Sequence, residues 1–505
     1  MFADSRNSIA LLVAAMFLLG QQMLPFHWTG NEIIYFDLAY RTVAPEQFTD
    51  AHAMFEGSNI RFLSMATIGY GIEILGYETA KTVFALLCLS LMSVGIMLIA
   101  RQFGLRVIEV SVALLVFLVA NQDLVGDEWM FGSVETKVLA YTCMLFALAA
   151  VLQGRVYWAL PFFLVGTYFH LLVGGAWTCL LLLYTWMNRS PRRVVLRSFL
   201  IYVALLLPLI WLIVTERVLS DIDTDVFTLS VHEIYAVISQ PFHAAPFANG
   251  MYAFSTDWAP GFMMHGALVV VFFYLAAQDP DADRPLLRWL AVLNGLLLVA
   301  MVVAYLDRGT HYFGRLLIFR PSSMVFFLSC LVLVRCLVLF PSGPARGAAL
   351  LLVGAFIIPD YLRDGWRAFD QFPWNARLEA QMTPPQRDVQ RWMIAETSSD
   401  ASFLLEPSLK GIKNNSSAFT LGIERLTKRP MIIESKNVPS GQEAFVKWYS
   451  LLLARQAFFD GDCGQLSVLQ ADYVIFRNGF DAQPKLTDCT APVYNNGTFT
   501  VAKIN

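Results

Sequence analysis

Two acids, Glu32 and Asp37, stand near the start of the segment GNEIIYFDLAYRTV, a few residues after the first apolar run. Acidic groups in the first turns of a helix gain from its N-terminal field and stay ionised. A carboxylate held there at a membrane surface can serve as a general base toward a hydroxyl. The two acids are five positions apart and do not share one helical face well, so one rather than both is expected to do chemistry. The competing reading is the solvated polar face of a helix lying along the membrane. A second group, Asp127, Glu128, Glu135 and Lys137, falls in GDEWMFGSVETK. Glu135 and Lys137 enter an apolar run, where ionisable groups are costly and either face a cavity or pair with one another. His170 lies between two apolar runs in YFHLLVGGAW, ahead of Gly174 and Gly175, which permit a tight turn or a close backbone approach. It reads either as a group at the aqueous boundary or as a hydrogen-bonded core histidine. Arg308, His311, Arg315 and Arg320 cluster in LDRGTHYFGRLLIFRP. A guanidinium matches a phosphate bidentately; snorkelling, or pairing with an intramembrane acid, is the alternative. His232, Glu233, His243 and Asp257 could ligate a metal, but their irregular spacing is a weak signal. No metal ligands are assigned, and a divalent cofactor is left open.

These groups must be positioned by a chain that is mostly apolar. Of 505 residues, 57% are hydrophobic and 15% charged, far fewer charges than the roughly 25% of soluble domains. Long apolar runs recur until about residue 360 and read as helices solvated by lipid. Candidate spans are 8–26, 80–100, 106–121, 136–153, 157–171, 172–187, 198–215, 263–277, 289–305, 316–338 and 346–359, about eleven in all. The N-terminal run lacks a small-x-small cleavage site and reads as an uncleaved anchor. Arginines gather in alternate short connections, at Arg101, Arg106, Arg155, Arg189, Arg192, Arg193, Arg197, Arg284, Arg288, Arg335 and Arg346. By the positive-inside bias these face the cytosol with the N-terminus, and an odd number of spans places residues 361–505 outside. The outer loops are then 27–79, 121–135 and 216–262, with a shorter one at 306–315. The first is expected to hold an amphipathic helix over Glu32–Val43 and a second, membrane-grazing helix over Asn59–Leu75. The inner connections are short, so function is expected on the outer face.

The terminal segment alternates helical patterns (RDVQRWMIAE, GQEAFVKWYSLLLARQ) with extended ones (ASFLLE, RPMIIES, ADYVIFR, GTFTVAKI), which suggests a small α/β domain. It has no glycine-rich phosphate loop, nucleophile elbow or zinc-ligand spacing. Five cysteines lie in apolar runs; Cys463 and Cys489 are alone in the terminal segment and read as a disulfide if that segment is outside. The fold class expected is thus an α-helical polytopic membrane protein, bundle 1–360, with an extracytoplasmic α/β domain over 361–505. A net charge of −3 gives no basic field for nucleic acid. No repeat or paired broken helices support a transporter.

This layout resembles the GT-C superfamily of membrane glycosyltransferases: a cytosolic N-terminus, a long first outer loop with an amphipathic helix, many spans, and often an outer soluble domain. The resemblance covers the whole chain in architecture but is poor in motifs. It implies transfer of a sugar from a polyprenyl-phosphate or polyprenyl-diphosphate donor to an extracytoplasmic glycan, lipid or protein. The setting it implies is a bacterial inner membrane, with the terminal domain in the periplasm. The family's acidic pair after the first span falls on Asn31-Glu32 in TGNEIIYFDLAYR, with an amide at the first position. The resemblance therefore assigns the base to Glu32 or Asp37, or makes the chain a non-catalytic scaffold or assembly partner. Asp127, Glu128, Glu135, Lys137, His170, Arg308, His311, Arg315 and Arg320 are the expected substrate-binding groups.

Overall fold

The structure is a computed structural model that describes residues 2–23, 28–47, 59–188, 191–217, 229–278, 284–339, 378–407, 422–433, 438–439, 442–479 and 486–505. It is mostly helical. The apolar runs become helices α1 (Phe2–Met23), α4 (Tyr77–Gln102), α5 (Val107–Val119), α6 (Thr136–Leu152), α7 (Val156–Phe169), α8 (Leu171–Met187), α9 (Arg192–Arg217), α10 (Ala259–Gln278), α11 (Arg284–Leu306) and α12 (Ser322–Leu339). Between the first two lie α2 (Gly30–Val43) and α3 (Phe62–Leu75), the two helices expected in the first outer loop. Among the described residues four stretches are long and apolar enough to cross a membrane: Tyr77–Gln102, Arg192–Thr215, Gly250–Ala277 and Arg284–Leu306. Shorter apolar helices account for the other expected spans, except 346–359, which lies outside the described residues.

The chain forms two compact units that do not follow sequence order. One holds residues 1–26, 81–208 and 232–373; the other holds 27–80, 209–231 and 374–505. In the first unit α6 packs on α7 and α8, α5 on α1 and α12, and α11 on α10 and α12. Small residues allow the closest of these approaches. A Cβ on Gly174 of α8 would lie 2.3 Å from the Gly166 carbonyl carbon of α7. Polar side chains also tie helices together. His265 of α10 donates through Nδ1 to Asn294 Oδ1 of α11 at 2.7 Å, and Asn294 in turn donates to Ser329 of α12 at 3.2 Å.

In the second unit α2 packs on α3, where Gly69 brings the helices so close that a Cβ would meet Ala39 O at 2.3 Å. The terminal segment adds α13 (Pro384–Glu396), β1 (Phe403–Leu405), α14 (Ile423–Thr427), α15 (Gln442–Phe459), β2 (Tyr473–Arg477), β3 (Thr490–Asn495) and β4 (Phe499–Ile504). The strands form one mixed sheet in the order β1-β2-β4-β3, parallel between β1 and β2 and antiparallel elsewhere. Val389, Met393, Phe403, Leu405, Ile475, Phe499 and Val501 fill the core between α13 and the sheet. Of the extended segments read from sequence, the described part of RPMIIES contributes an isolated bridge, Met431 to Phe403, while TAPVYN forms the unexpected strand β3. The register shift at Pro492/Tyr494 explains the miss, because proline and the bulge break the alternation that marks a strand.

Cys463 and Cys489 are bonded, with Cα atoms 5.9 Å apart and 26 residues between them in sequence. The bond ties the turn after α15 to the residue before β3. Closing a loop of this length is worth about 3 kcal/mol. The Cys463→Ser/Cys489→Ser protein is therefore expected to lose β3 and β4 to proteolysis at a temperature where wild type resists, and reductant should reproduce the effect.

Candidate functional site

The loop 121–135 is held in an unusual shape. Asn121, Gln122 and Asp127 adopt left-handed backbone angles (φ 54, 66 and 49°), as do Gly126 and Gly132 (φ 92 and 128°). Non-glycine residues there cost roughly 1–3 kcal/mol each and persist only when their surroundings enforce them. The enforcing bonds are visible. The Gln122 amide oxygen accepts from the backbone N–H of Met130 and Phe131 at 3.0 and 2.8 Å. The Asp123 carboxylate accepts from the amides of Leu124, Val125 and Glu128 and from the Ser322 hydroxyl at 2.6 Å. Burial pushes the Asp123 carboxyl up to about 7 despite these donors. Ser323 donates to Gln122 O at 2.7 Å, so the first turn of α12 clamps the loop from below.

That clamp fixes a buried charge cluster. Glu128, 1% exposed, meets Arg320 Nη1 at 2.5 Å, His243 Nδ1 at 3.5 Å and Lys137 Nζ at 3.6 Å. Lys137 also meets Glu135 at 3.3 Å and sits over the Trp129 ring at 3.7 Å. Burial alone would raise the Glu128 pKa; the charges of Arg320, Lys137 and His243 outweigh it and hold the carboxyl below its ordinary range. Burial and the Arg320 charge depress His243, with Glu128 opposing. His243 Nδ1 lies 2.6 Å from the Gly126 carbonyl oxygen, which can only accept, so Nδ1 carries a proton and the neutral ring leaves Nε2 as its basic atom. The cluster joins Glu128, Glu135, Lys137 and Arg320 of the expected substrate groups. His243, earlier placed among loose metal candidates, belongs to it; its distance from Glu128 in sequence hid this. Among the described residues no three His, Cys, Asp or Glu side chains gather as a metal site.

The other expected groups lie apart from these contacts. Asp127 is exposed at a left-handed turn. His170 caps α8, its Nδ1 accepting from the Val173 amide at 3.3 Å, a structural role that matches the core-histidine reading. Asp307 folds the short loop after α11, taking donors from Thr310, Tyr312, Phe313 and Gly314. On that brace Arg308 is exposed and stacks on Tyr305 at 4.0 Å, and His311 is half-buried with φ 53°. The Arg315 backbone forms a 3-10 turn; its side chain lies outside the described residues.

The first-loop acids sit in the second unit. Thr29 caps α2, and Glu32 completes a capping box: Glu32 N–H donates to Thr29 Oγ1 at 3.2 Å, and Thr29 N–H donates to Glu32 Oε2 at 2.9 Å. Asp37, one turn further on, pairs with Arg425 of α14, whose Nε lies 2.7 Å from Oδ1. Arg425 Nη2 donates to Ile33 O at 3.0 Å, and its guanidinium lies 4.4 and 4.1 Å from the ring centres of Trp28 and Tyr77. Burial raises the Asp37 pKa, and the Arg425 charge is the chief opposing influence. No local signal marks Arg425, which is 388 positions away.

Fold and composition define an integral membrane protein, mostly helical, with a small mixed sheet near its C-terminal end. No family model and no curated protein matches the chain. A solved structure that does is the single-particle cryo-EM structure of the arabinofuranosyltransferase AftD from Mycobacteria. It is 12% identical, with a TM-score of 0.49, over 99% of this chain and 40% of that one. The chain thus spans about two fifths of that protein's length.

Proposed function

We propose that the protein is a membrane glycosyltransferase of GT-C type. It moves a sugar from a polyprenyl-phosphate or polyprenyl-diphosphate donor to a glycan, lipid or protein acceptor outside the cytosol, with Asp37 as general base. The observation that carries this reading is Asp37 itself: a buried carboxylate on the amphipathic first-loop helix, oriented by a neighbouring cation. Glu32 is the weaker choice, because its carboxylate is already committed to the helix cap. The reading places about eleven spans in a bacterial inner membrane, with the first-loop helix and the terminal domain on the periplasmic side.

Arg320 and Lys137 are engaged by Glu128, so they support the loop more than they offer charge to a donor. Arg308, exposed and beside the Asp307 brace, is the cation we assign to the donor phosphate. Losing one charge-assisted contact of about 1.5–3 kcal/mol should raise the donor KM at least about tenfold in Arg308→Ala, with kcat little changed. Steady-state kinetics over a donor titration read this directly.

The reading as a whole is tested by incubating the purified chain in liposomes with radiolabelled polyprenyl-linked sugars and an envelope extract as acceptor. Transfer above an empty-liposome control supports it. The second reading, a non-catalytic scaffold, draws on the fact that both first-loop acids already have partners within the protein. Failure of the wild type to transfer from any polyprenyl-linked sugar decides for the scaffold.

A further inference from the structure

The second unit contains an arrangement that an amphipathic surface helix does not need. α14 is a short helix launched by Gly422, whose φ of 85° only glycine adopts easily, and a Cβ there would press on Leu378 at 2.7 Å and on Ile33 of α2 at 3.0 Å. This close seat brings Arg425 against α2. The guanidinium then bonds one helix in two ways, through Nε to the Asp37 carboxylate and through Nη2 to the Ile33 carbonyl. Trp28 before α2 and Tyr77 at the start of α4 offer it their ring faces, which fixes its plane. The side chain is 6% exposed, and among the described residues Nη1 is buried without a hydrogen-bond acceptor. A buried donor left unpaired opposes folding, so the contact is not one that stability alone would favour.

We infer that Arg425 is the positioning residue of Asp37, which makes the terminal α/β domain a working part of the transfer site and not a separate binding module. The inference rests on the reading of Asp37 as the base. A general base must be ionised and aimed before it can take a proton. Burial on α2 works against ionisation, and the groups that face the carboxylate are Arg425 and Lys428 from the terminal domain and Tyr77 from α4, with Tyr40 of α2 beside Tyr77. Both cations and a hydrogen bond from Tyr77 favour the ionised form, and the charge of Arg425, bonded to the carboxylate at 2.7 Å, is the strongest of these influences. The geometry therefore assigns Arg425 both the charge and the direction of the base.

The test is the pH dependence of transfer by the full chain in liposomes. In Arg425→Gln the acid limb of kcat is expected to move up by about 1–3 pH units, the span an adjacent opposite charge covers, with KM for the donor little changed. Arg425→Lys, which keeps the charge but not the two-pronged geometry, should return the limb most of the way while leaving kcat reduced. Should Arg425→Gln fail to fold, the lysine variant still carries the test through its lowered kcat. An unmoved acid limb and unchanged kcat in both variants, alongside loss of transfer in Asp37→Asn, would overturn the positioning role and leave the proposed function standing. Full transfer by Asp37→Asn would instead overturn the assignment of the base and the inference together.

Discussion

Asp37→Asn is expected to lower glycan transfer by at least about a hundredfold, the lower end for removal of a general base. Glu32→Gln is expected to leave transfer close to wild type. The contrast follows from what each carboxylate does. Glu32 closes the α2 cap by accepting from the Thr29 amide, and a glutamine oxygen can accept in the same way. Asp37 has no such duty to its own helix. Its partner is a guanidinium, and asparagine keeps the size of the side chain while losing the charge and the ability to take a proton. The check is a reconstituted assay at saturating donor, with the disulfide and the thermal midpoint confirming that each variant is folded. Equal loss in both variants would mean that the cap, and not a base, matters.

Glu128→Ala is expected to destabilise the first unit by about 3–5 kcal/mol, the usual result of removing one member of a buried ion pair. Arg320 and Lys137 would be left as buried cations, with Glu135 the nearest compensation for Lys137 alone. Arg320→Ala should be harmful for the mirror-image reason. The double substitution should cost less than the two singles together, because neither charge is then stranded. Thermal unfolding in detergent micelles measures all three. The pH dependence has a definite sign. Glu128 titrates below its ordinary value near 4.5 in the folded protein, so its contribution is complete above that pH and is lost as pH falls through the folded pKa. Wild type should therefore lose stability in acid, and Glu128→Ala should lose less.

Much of this architecture was legible in the sequence because lipid leaves a chain few choices. Apolar runs such as 80–100 and 289–305 become helices, since nothing else satisfies their backbone in hydrocarbon. The capping signature Thr29 to Glu32 and the isolated cysteine pair are local in origin, one within a helical turn and the other within one small domain. What stayed hidden depends on contacts between distant segments. His243 and Glu128 meet through a loop whose left-handed turns no hydrophobic pattern encodes. Arg425 meets Asp37 across 388 positions, a distance over which no local pattern speaks. For Arg320 the sequence left phosphate binding and pairing with an acid both open, because its partner, Glu128, lies far upstream in the chain. The short strand β3 escaped because Pro492 interrupts its pattern.

The pairing of Asp37 with Arg425 also sets an order of events during synthesis. The two residues are separated by 388 positions, and nearly all of the first unit is translated between them. At roughly 5–20 residues per second, on the order of 20–80 s pass after the ribosome makes Asp37 before it makes Arg425. Throughout that interval α2 carries an acid whose folded partner does not yet exist. The helix can dock permanently only once α14 has been made, so a chain released before α14 would retain its apolar helices and still lack a finished first loop. Completion of the loop thus reports that synthesis has passed α14.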